Sequence, residues 1–441
     1  MKDRLFEIWL SLRMGVANPA FIPLLAQYTP YDLFSMDTDA IAELSCDDKI
    51  KRALADKNLE ESHRIQRYCR TNGIGLLFWQ DEAYPRPLKH LIDPPMLLYY
   101  MGKLPDFNSR LCISVVGTRT MSEYGKKMAY KIGYELAAVG TVVVSGMALG
   151  VDSVAAAGAL AAKGCTVAIL GCGIDVVYPV AHRDLRDAIL QNGAVMTEYP
   201  PATRPLGHHF PQRNRIISGL SQGTVVVEAG ESSGALITAR TAISQGRDVF
   251  AVPGNVGDPQ TSGTNRLIFD GAGVVLKPRD ILDTYSFLYR DALRLDRLLT
   301  AEQRSELDES VLERLSVYVR NPSVRATEKP REPQKPLPKA NAPTSTEASE
   351  RRLPRKSSEQ PKAEKPTPPS EPRVGDASEK ILETLPEVQR KLFEALPLDH
   401  AVAVDYLVKA GFSMSDIMSA MTMLEIKGLV VALPGGLYSR K

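Results

Sequence analysis

The stretch His208-His209-Phe210-Pro211-Gln212-Arg213-Asn214-Arg215-Ile216-Ile217-Ser218-Gly219-Leu220-Ser221 runs almost directly into Gly223-Thr224-Val225-Val226-Val227-Glu228-Ala229. The second segment is a short β-branched run and reads as a buried strand, while Asn214 to Leu220 reads as an apolar helical run. A cationic cluster with an aromatic and two histidines therefore stands where a loop starts a helix, close to the edge of a sheet. A helix start presents free N–H groups and the positive end of the helix dipole, so an anion is its natural guest. The same residues also fit a solvated turn whose arginines pair with nearby carboxylates, and the stretch alone leaves both readings open.

Outward from it the same alternation continues. Apolar runs at Cys112–Val116, Val142–Val144, Thr166–Leu170, Ala194–Thr197, Thr224–Val227, Val249–Val252 and Val274–Leu276 are separated by helical patterns at Tyr124–Val139, Val151–Ala162, Arg183–Gln191, Asn214–Leu220, Ala235–Gln245 and Thr264–Phe269. Most of the runs are continuously apolar, as strands buried on both faces are. This predicts an α/β fold with a doubly wound, mainly parallel, Rossmann-like sheet joined by right-handed crossovers. Ile74–Trp79 and Met96–Met101 read as two further strands, separated by rigid turns at Tyr84-Pro85-Arg86-Pro87 and Asp93-Pro94-Pro95.

In such sheets ligands bind outside the carboxyl ends of the strands. Glycines and small polar residues collect there: Gly117-Thr118-Arg119-Thr120, Ser145-Gly146-Met147-Ala148-Leu149-Gly150, Gly171-Cys172-Gly173-Ile174-Asp175 with Tyr178-Pro179, and Gly230-Glu231-Ser232-Ser233-Gly234. Converging loops of this kind make a crevice lined with N–H donors, and Arg119, Arg213 and Arg215 are expected to face it. That is a site for phosphates. The dinucleotide fingerprint fails, because the first loop lacks the G-x-G-x-x-G spacing and the next strand ends in Ser145 rather than an acid. No P-loop pattern is present either. Of the carboxylates near the loops, Asp152 and Asp175 read as capping or structural, Glu198, Glu228 and Glu231 remain candidates, and His208-His209 lack a partner at motif spacing.

The ends of the chain differ in character. Residues 1–72 read as a small helical domain, with helices at Leu5–Leu12, Phe21–Tyr28, Tyr31–Phe34, Thr38–Leu44, Lys49–Leu54 and Glu61–Asn72. After the core at 73–285, helical segments follow at Ile281–Leu295 and Ala301–Tyr318, making a helical extension over 286–320. Residues 321–378 are rich in Pro, Lys, Glu, Ser and Thr and read as a disordered tether, which at about 3 Å per residue reaches beyond ~100 Å. Residues 379–441 recover periodicity: helices at Val388–Leu396, Val402–Ala410 and Ser415–Ile426, the last capped at Ser413, then a hairpin over Leu429–Leu433 and Leu437–Ser439. Three helices and a hairpin are a winged-helix plan. The third helix, Ser415-Asp416-Ile417-Met418-Ser419-Ala420-Met421, lacks side chains that read base edges, so protein docking or weak DNA contact is expected of this domain.

Composition sets the outer limits. A chain of 441 residues with 44% hydrophobic and 24% charged residues is an ordinary soluble protein of two or three domains. The net charge of +2 offers no global basic field, so any anion-binding surface is local. The N-terminus has no signal-peptide core, no long apolar run is present, and the five cysteines show no framework spacing. These features point to the cytoplasm, with no membrane contact and no metal site.

The motifs Val116-Gly117-Thr118-Arg119, Ser145–Asp152, Gly171–Asp175 with Tyr178-Pro179, Phe210–Ile217, Ser233–Ala239 and Val252-Pro253-Gly254 together resemble the DprA/Smf family, densely over residues 73–280. The resemblance implies a non-enzymatic, cytoplasmic homodimer that binds and protects incoming single-stranded DNA and loads the RecA recombinase onto it in natural transformation, in interplay with single-strand-binding protein. It implies a SAM or helix-hairpin-helix-like N-terminal domain. It gives Arg119 a phosphate-contacting role and Phe210 a base-stacking one. With these, Gly117, Thr118, Ser145, Gly146, Arg183, Arg213, Asn214, Arg215, Ser233 and Gly234 form the expected DNA-binding set. No catalytic residue and no cofactor is expected. Some members carry a lysine just before the aromatic; here Leu206-Gly207-His208-His209 stands there, and Arg204, Arg213, Arg215 or Arg183 is left to supply the charge. The alternative is a nucleotide-processing enzyme of the lysine-decarboxylase-like phosphoribohydrolase group, although the loop Glu228–Gly234 lacks that group's Pro-Gly-Gly-x-Gly-Thr pattern.

Overall fold

The computed structural model describes residues 4–315 and, toward the C-terminus, 386–397, 402–403, 429–433, 437–440 and the single positions 407, 412, 417, 420 and 424. They fall into two compact units, one up to 315 and one from 386 onward. Among the described residues no helix is long and apolar enough to cross a membrane.

The first unit opens with α1 (Leu5–Met14), α2 (Phe21–Leu25), α3 (Pro30–Ser35), α4 (Thr38–Glu43), α5 (Asp48–Ala55) and α6 (Glu60–Thr71). Local chemistry sets their starts. Thr29 and Asp32 close a capping box around α3, with Pro30 at its first position where a missing N–H costs nothing. Ile8 and Trp9 of α1 and Ile65 and Cys69 of α6 share one hydrophobic core with Leu97, Tyr99, Ala168, Leu170 and Val195 of the sheet. The hydrophobic core is therefore continuous across residue 72.

The sheet follows: β1 (Gly75–Phe78), α7 (Arg86–Lys89), β2 (Leu97–Gly102), β3 (Cys112–Val116), α8 (Glu123–Ala138), β4 (Val142–Ser145), α9 (Val151–Ala161), β5 (Thr166–Ile169), α10 (Arg183–Asn192), β6 (Ala194–Thr197), α11 (His209–Leu220), β7 (Gly223–Val226), α12 (Gly234–Ser244), β8 (Asp248–Ala251), α13 (Ser262–Phe269) and β9 (Gly273–Val274). The strand order is β1-β2-β6-β5-β4-β3-β7-β8-β9. The hairpin β1–β2 joins antiparallel through β6, and from β6 to β9 every pairing is parallel. The chain winds one way from β3 to β6 and the other way from β7 to β9. The direction changes beside β3, so its carboxyl end, at Gly117-Thr118-Arg119, is the topological switch point where a doubly wound sheet opens a crevice.

Two boundaries differ from the sequence reading. Helix α11 begins at His209, five residues before Asn214, because Pro211 falls in the first turn, where proline is tolerated instead of breaking the helix. The expected helix Ile281–Leu295 is instead α14 (Pro278–Tyr285), which stops so that buried Leu293 and the Arg294 N–H, bonded to the Val139 carbonyl at 2.9 Å, can dock onto the end of α8. Helix α15 (Ala301–Leu315) then packs on α8 through a bidentate Arg304 bond to the fully buried Glu135, at 2.7 and 2.9 Å.

In the second unit α16 (Glu387–Ala395) precedes β10 (Val402–Ala403), β11 (Val430–Leu433) and β12 (Leu437–Arg440), in the antiparallel order β10-β12-β11. Leu392, Leu407, Ile417, Leu424 and Val430 share its core. The helix read from Val402 is corrected: Val402 and Ala403 pair with Tyr438 and Leu437, because the hairpin offers a free edge to a valine-rich segment. The tether at 321–378, Ser413 and most of the third helix lie outside the described residues.

Candidate functional site

A cleft of about 830 Å³ opens above the carboxyl ends of β3 and β7, between the Gly117–Thr120 loop, the start of α11 and the start of α12. A smaller cavity of about 30 Å³ adjoins it, walled by Gly146, Leu170, Gly171 and Cys172 and sharing Arg119, Ala148, Tyr178 and Phe210 with the cleft.

The wall between them is the Ser145–Gly150 loop, which is held in an unusual backbone. Buried Met147 has φ +53° and Gly150 φ +86°; a side chain at Gly150 would collide with the Thr118 carbonyl. Three side chains fasten it. Asp152 Oδ2 accepts the Gly146 N–H at 2.9 Å. Burial pushes the Asp152 carboxyl up, opposed by Arg213 and by the N–H groups of Gly146 and Ala148. His182 Nδ1 lies 3.0 Å from the Met147 carbonyl, which can only accept, so Nδ1 carries the proton. Burial lowers the pKa of His182, which fits a neutral ring in that tautomer. Arg213 donates through Nη1 to the Gly146 carbonyl at 3.0 Å and to that of Ile169, and through Nε to Asn214 Oδ1 at 3.2 Å.

Arg119 is the contrasting cation. It is exposed at the tip of its loop and forms no ion pair with a described residue. Its guanidinium lies 5.5 Å from the Phe210 ring centroid, and the Phe210 and Tyr178 rings are 5.5 Å apart at 42°. A free positive charge, two aromatic faces and a floor of small residues thus meet at one place. Such an arrangement has the chemistry to take a phosphate beside an unstacked base.

The structure brings Gly117, Thr118, Arg119, Phe210, Arg213, Asn214, Ser233 and Gly234 to the cleft, and Gly146 to the adjoining cavity. It places Ser145, Arg183 and Arg215 elsewhere. Ser145 is fully buried, its hydroxyl facing the Met147 N–H. Arg183 is exposed at the start of α10, outside both walls. Arg215 pairs with Glu198 at 2.5 Å and Asp93 at 3.1 Å, its side chain 6% exposed, so this arginine pairs with carboxylates as the alternative reading had it, but inside a buried helix and not on a solvated turn. Burial raises the Glu198 pKa against the pull of Arg215. The other carboxylates are engaged: Glu228 accepts from the Ser122 N–H (2.9 Å) and hydroxyl (2.7 Å), and Asp175 from the Ala202 N–H (2.8 Å). Glu231 is exposed and outside the cleft wall. His209 is buried, stacked on Tyr199 at 4.2 Å with Nδ1 3.2 Å from the Gly171 carbonyl, so it braces α11. Sequence reasoning missed Tyr178 as a ring partner, His182 as a loop fastener and Thr238 on the cleft wall. Only Tyr178 carried a signal, its place before Pro179 in a glycine loop.

A family model described as DNA recombination-mediator protein A matches residues 75–286, and one described as DprA winged helix domain matches residues 364–436. The DNA processing protein DprA of Streptococcus pneumoniae (strain ATCC BAA-255 / R6) is 36% identical over 288 residues, 65% of this chain and 100% of the relative. This chain belongs to the DprA/Smf family. The DNA processing protein DprA of Bacillus subtilis (strain 168) is 37% identical over 250 residues, 56% of this chain and 84% of its own. The X-ray structure of the Streptococcus pneumoniae DprA superposes with a TM-score of 0.56 at 34% identity, covering 64% of this chain and 98% of that one. The family's role is DNA processing and recombination mediation, and the DprA/Smf core contains the cleft described above, with the winged-helix domain beyond it.

Proposed function

We propose that this DprA/Smf protein binds single-stranded DNA in the cleft, shields it and loads RecA onto it during natural transformation, acting as a homodimer through its sheet domain. The observation that carries the reading is Arg119, a cation with no ion-pair partner among the described residues, set against Phe210 at the mouth of a cleft lined by glycine loops. Recognition by phosphate contacts and base stacking is indifferent to sequence, as a handler of arbitrary incoming strands requires. Stacking needs a base free of its duplex partner, which favours single strands. The engaged state of Asp152, Asp175, Glu198 and Glu228 supports binding over hydrolysis, since a general base needs a free carboxylate within reach of substrate. The winged-helix domain is assigned to protein docking or weak DNA contact.

Fluorescence anisotropy with labelled single-stranded and duplex oligonucleotides tests the binding step, with single strands expected to bind tighter. Equal or tighter duplex binding contradicts it. Steady release of free base from nucleoside monophosphates, abolished by Glu231→Gln, contradicts the non-enzymatic part. RecA filament growth on strands already covered by single-strand-binding protein should accelerate when the protein is added. Sedimentation should give a dimer.

A further inference from the structure

The loop that carries Arg119 is tied down at both ends by one residue. Just before Arg119, the Thr118 N–H donates to the Glu228 carbonyl at 2.7 Å. Just after the loop tip, Ser122 donates its N–H to Glu228 Oε2 at 2.9 Å and its hydroxyl to Oε1 at 2.7 Å. Ser122 in turn caps α8, its Oγ accepting the Gly125 N–H at 3.0 Å. Arg119, Thr120 and Met121 are the residues between the two ties. Gly150 closes the loop from behind, because a Cβ there would stand 2.6 Å from Arg119 Cα. The place of the Arg119 backbone is therefore set from the end of β7, and not by the exposed residues of the loop itself.

Glu228 has no direct task in the cleft. It is 1% exposed and lies outside the walls of the cleft and of the adjoining cavity, so it does not touch a ligand held there. Its carboxylate sits behind a loop read as holding a phosphate, where a negative charge opposes the guest. A buried charge is tolerated where hydrogen bonds offset its desolvation, and Ser122 supplies them. Helix α8 also makes room for it. Gly125, in the first turn, is buried, and a Cβ there would stand 2.3 Å from Glu228 Oε2. Glycine weakens a helix, and the φ of Gly125 is not in the left-handed region, so space for the carboxylate is what the missing side chain provides.

We infer that Glu228 is a positioning residue for DNA binding: its reach to Ser122 holds the Thr118–Ser122 loop so that the Arg119 guanidinium meets a phosphate beside the Phe210 ring. The inference rests on the reading that Arg119 binds single-stranded DNA in the cleft. Glu228 acts through Arg119, by the length of its side chain and not by its charge.

The test uses the full chain and a labelled oligothymidylate across a salt series, with a thermal denaturation curve for every variant. Glu228→Asp keeps the charge and falls a methylene short of Ser122. Its affinity should fall about tenfold, the loss of one well-placed charged contact, and its salt slope should move toward that of Arg119→Ala. Glu228→Gln keeps the length, its amide oxygen accepting the Ser122 N–H and its amide N–H meeting the Ser122 hydroxyl, and should restore most of what the aspartate loses. A double-mutant cycle separates positioning from plain destabilisation: in the Arg119→Ala background, Glu228→Asp should cost no further affinity. Ser122→Ala, which removes the hydroxyl tie and keeps the N–H one, is read in the same way if the aspartate variant does not fold. Where Arg119→Ala alone binds weakly, an aspartate variant that binds like wild type, or that loses the same factor with and without Arg119, overturns the positioning role and leaves the cleft reading standing. A glutamine variant tighter than wild type beside an unchanged aspartate does the same, because the carboxylate is then only a repelling charge. Unchanged binding in Arg119→Ala removes the cleft reading and the positioning role with it.

Discussion

Arg119 and Arg215 sit beside the same sheet, and the fold gives them opposite tasks. Arg119 stands exposed on a loop with an aromatic face as its neighbour and no ion pair among the described residues. Arg215, buried six residues after the start of α11, is held between Glu198 and Asp93. The difference lies in the surroundings and not in the side chain. A cation whose charge is matched inside the fold is a fastener, here tying α11 to the end of β6 and to the turn at Asp93. A cation whose charge is unmatched stays available to an anion from outside. Two arginines with equally suggestive sequence contexts therefore have different surroundings, one fitted to stability and the other to the binding role proposed for it.

Breaking the fastener gives the largest expected effect. Arg215→Ala leaves the buried Glu198, and the part-exposed Asp93 beside it, without their cation and should cost about 3–5 kcal/mol of stability, most of it from Glu198, read as a shift of the denaturant midpoint. A change below about 1 kcal/mol would place Arg215 on the binding side of the comparison. On that other side, Phe210→Ala should leave stability close to wild type and remove about 1–3 kcal/mol of single-strand affinity, with Phe210→Trp retaining most of it. Equal affinity in the alanine variant would take the ring out of the site.

The sheet was legible in the sequence for a physical reason. Strands buried on both faces are written as continuous valine-rich runs, and the loops at their carboxyl ends are written in glycine and serine, as at Gly117 and Ser233. The role of Arg215 was not legible, because its partners come from β6 and from the turn at Asp93, far apart in the chain. Pro211 misplaced the start of α11 because a proline that breaks a helix and one that sits in its first turn look the same in sequence. Val402 carried helical spacing, but the hairpin's free edge decided its pairing.

The loop fastener His182 sharpens the comparison through pH. Burial lowers its pKa below the ordinary 6.5, so the unfolded chain takes up the proton first. Its contribution to stability is complete above pH 6.5 and is lost as the pH falls from there through the folded value. His182→Gln, whose amide can still donate to the Met147 carbonyl, should make stability fall less steeply over that window. His209, also lowered by burial, keeps part of the slope in the same direction. An unchanged slope in the variant would show that His182 carries no titrating load. The smallest effect belongs to the surface. Arg279, paired with Asp283 at 3.3 Å and more than half exposed, should change stability by less than about 0.5 kcal/mol when replaced by alanine. A larger cost there would mean that exposure alone does not separate fasteners from free charges.

The most direct measurement is the salt dependence of single-strand affinity for the wild type and Arg119→Ala, with a denaturation curve for each. The account predicts matching stability, weaker binding by the variant, and a slope of log affinity against log salt that falls by about 0.7. The same affinity and slope in both proteins, or a variant that loses stability as Arg215→Ala should, would contradict the claim that Arg119 is the cation kept free for DNA.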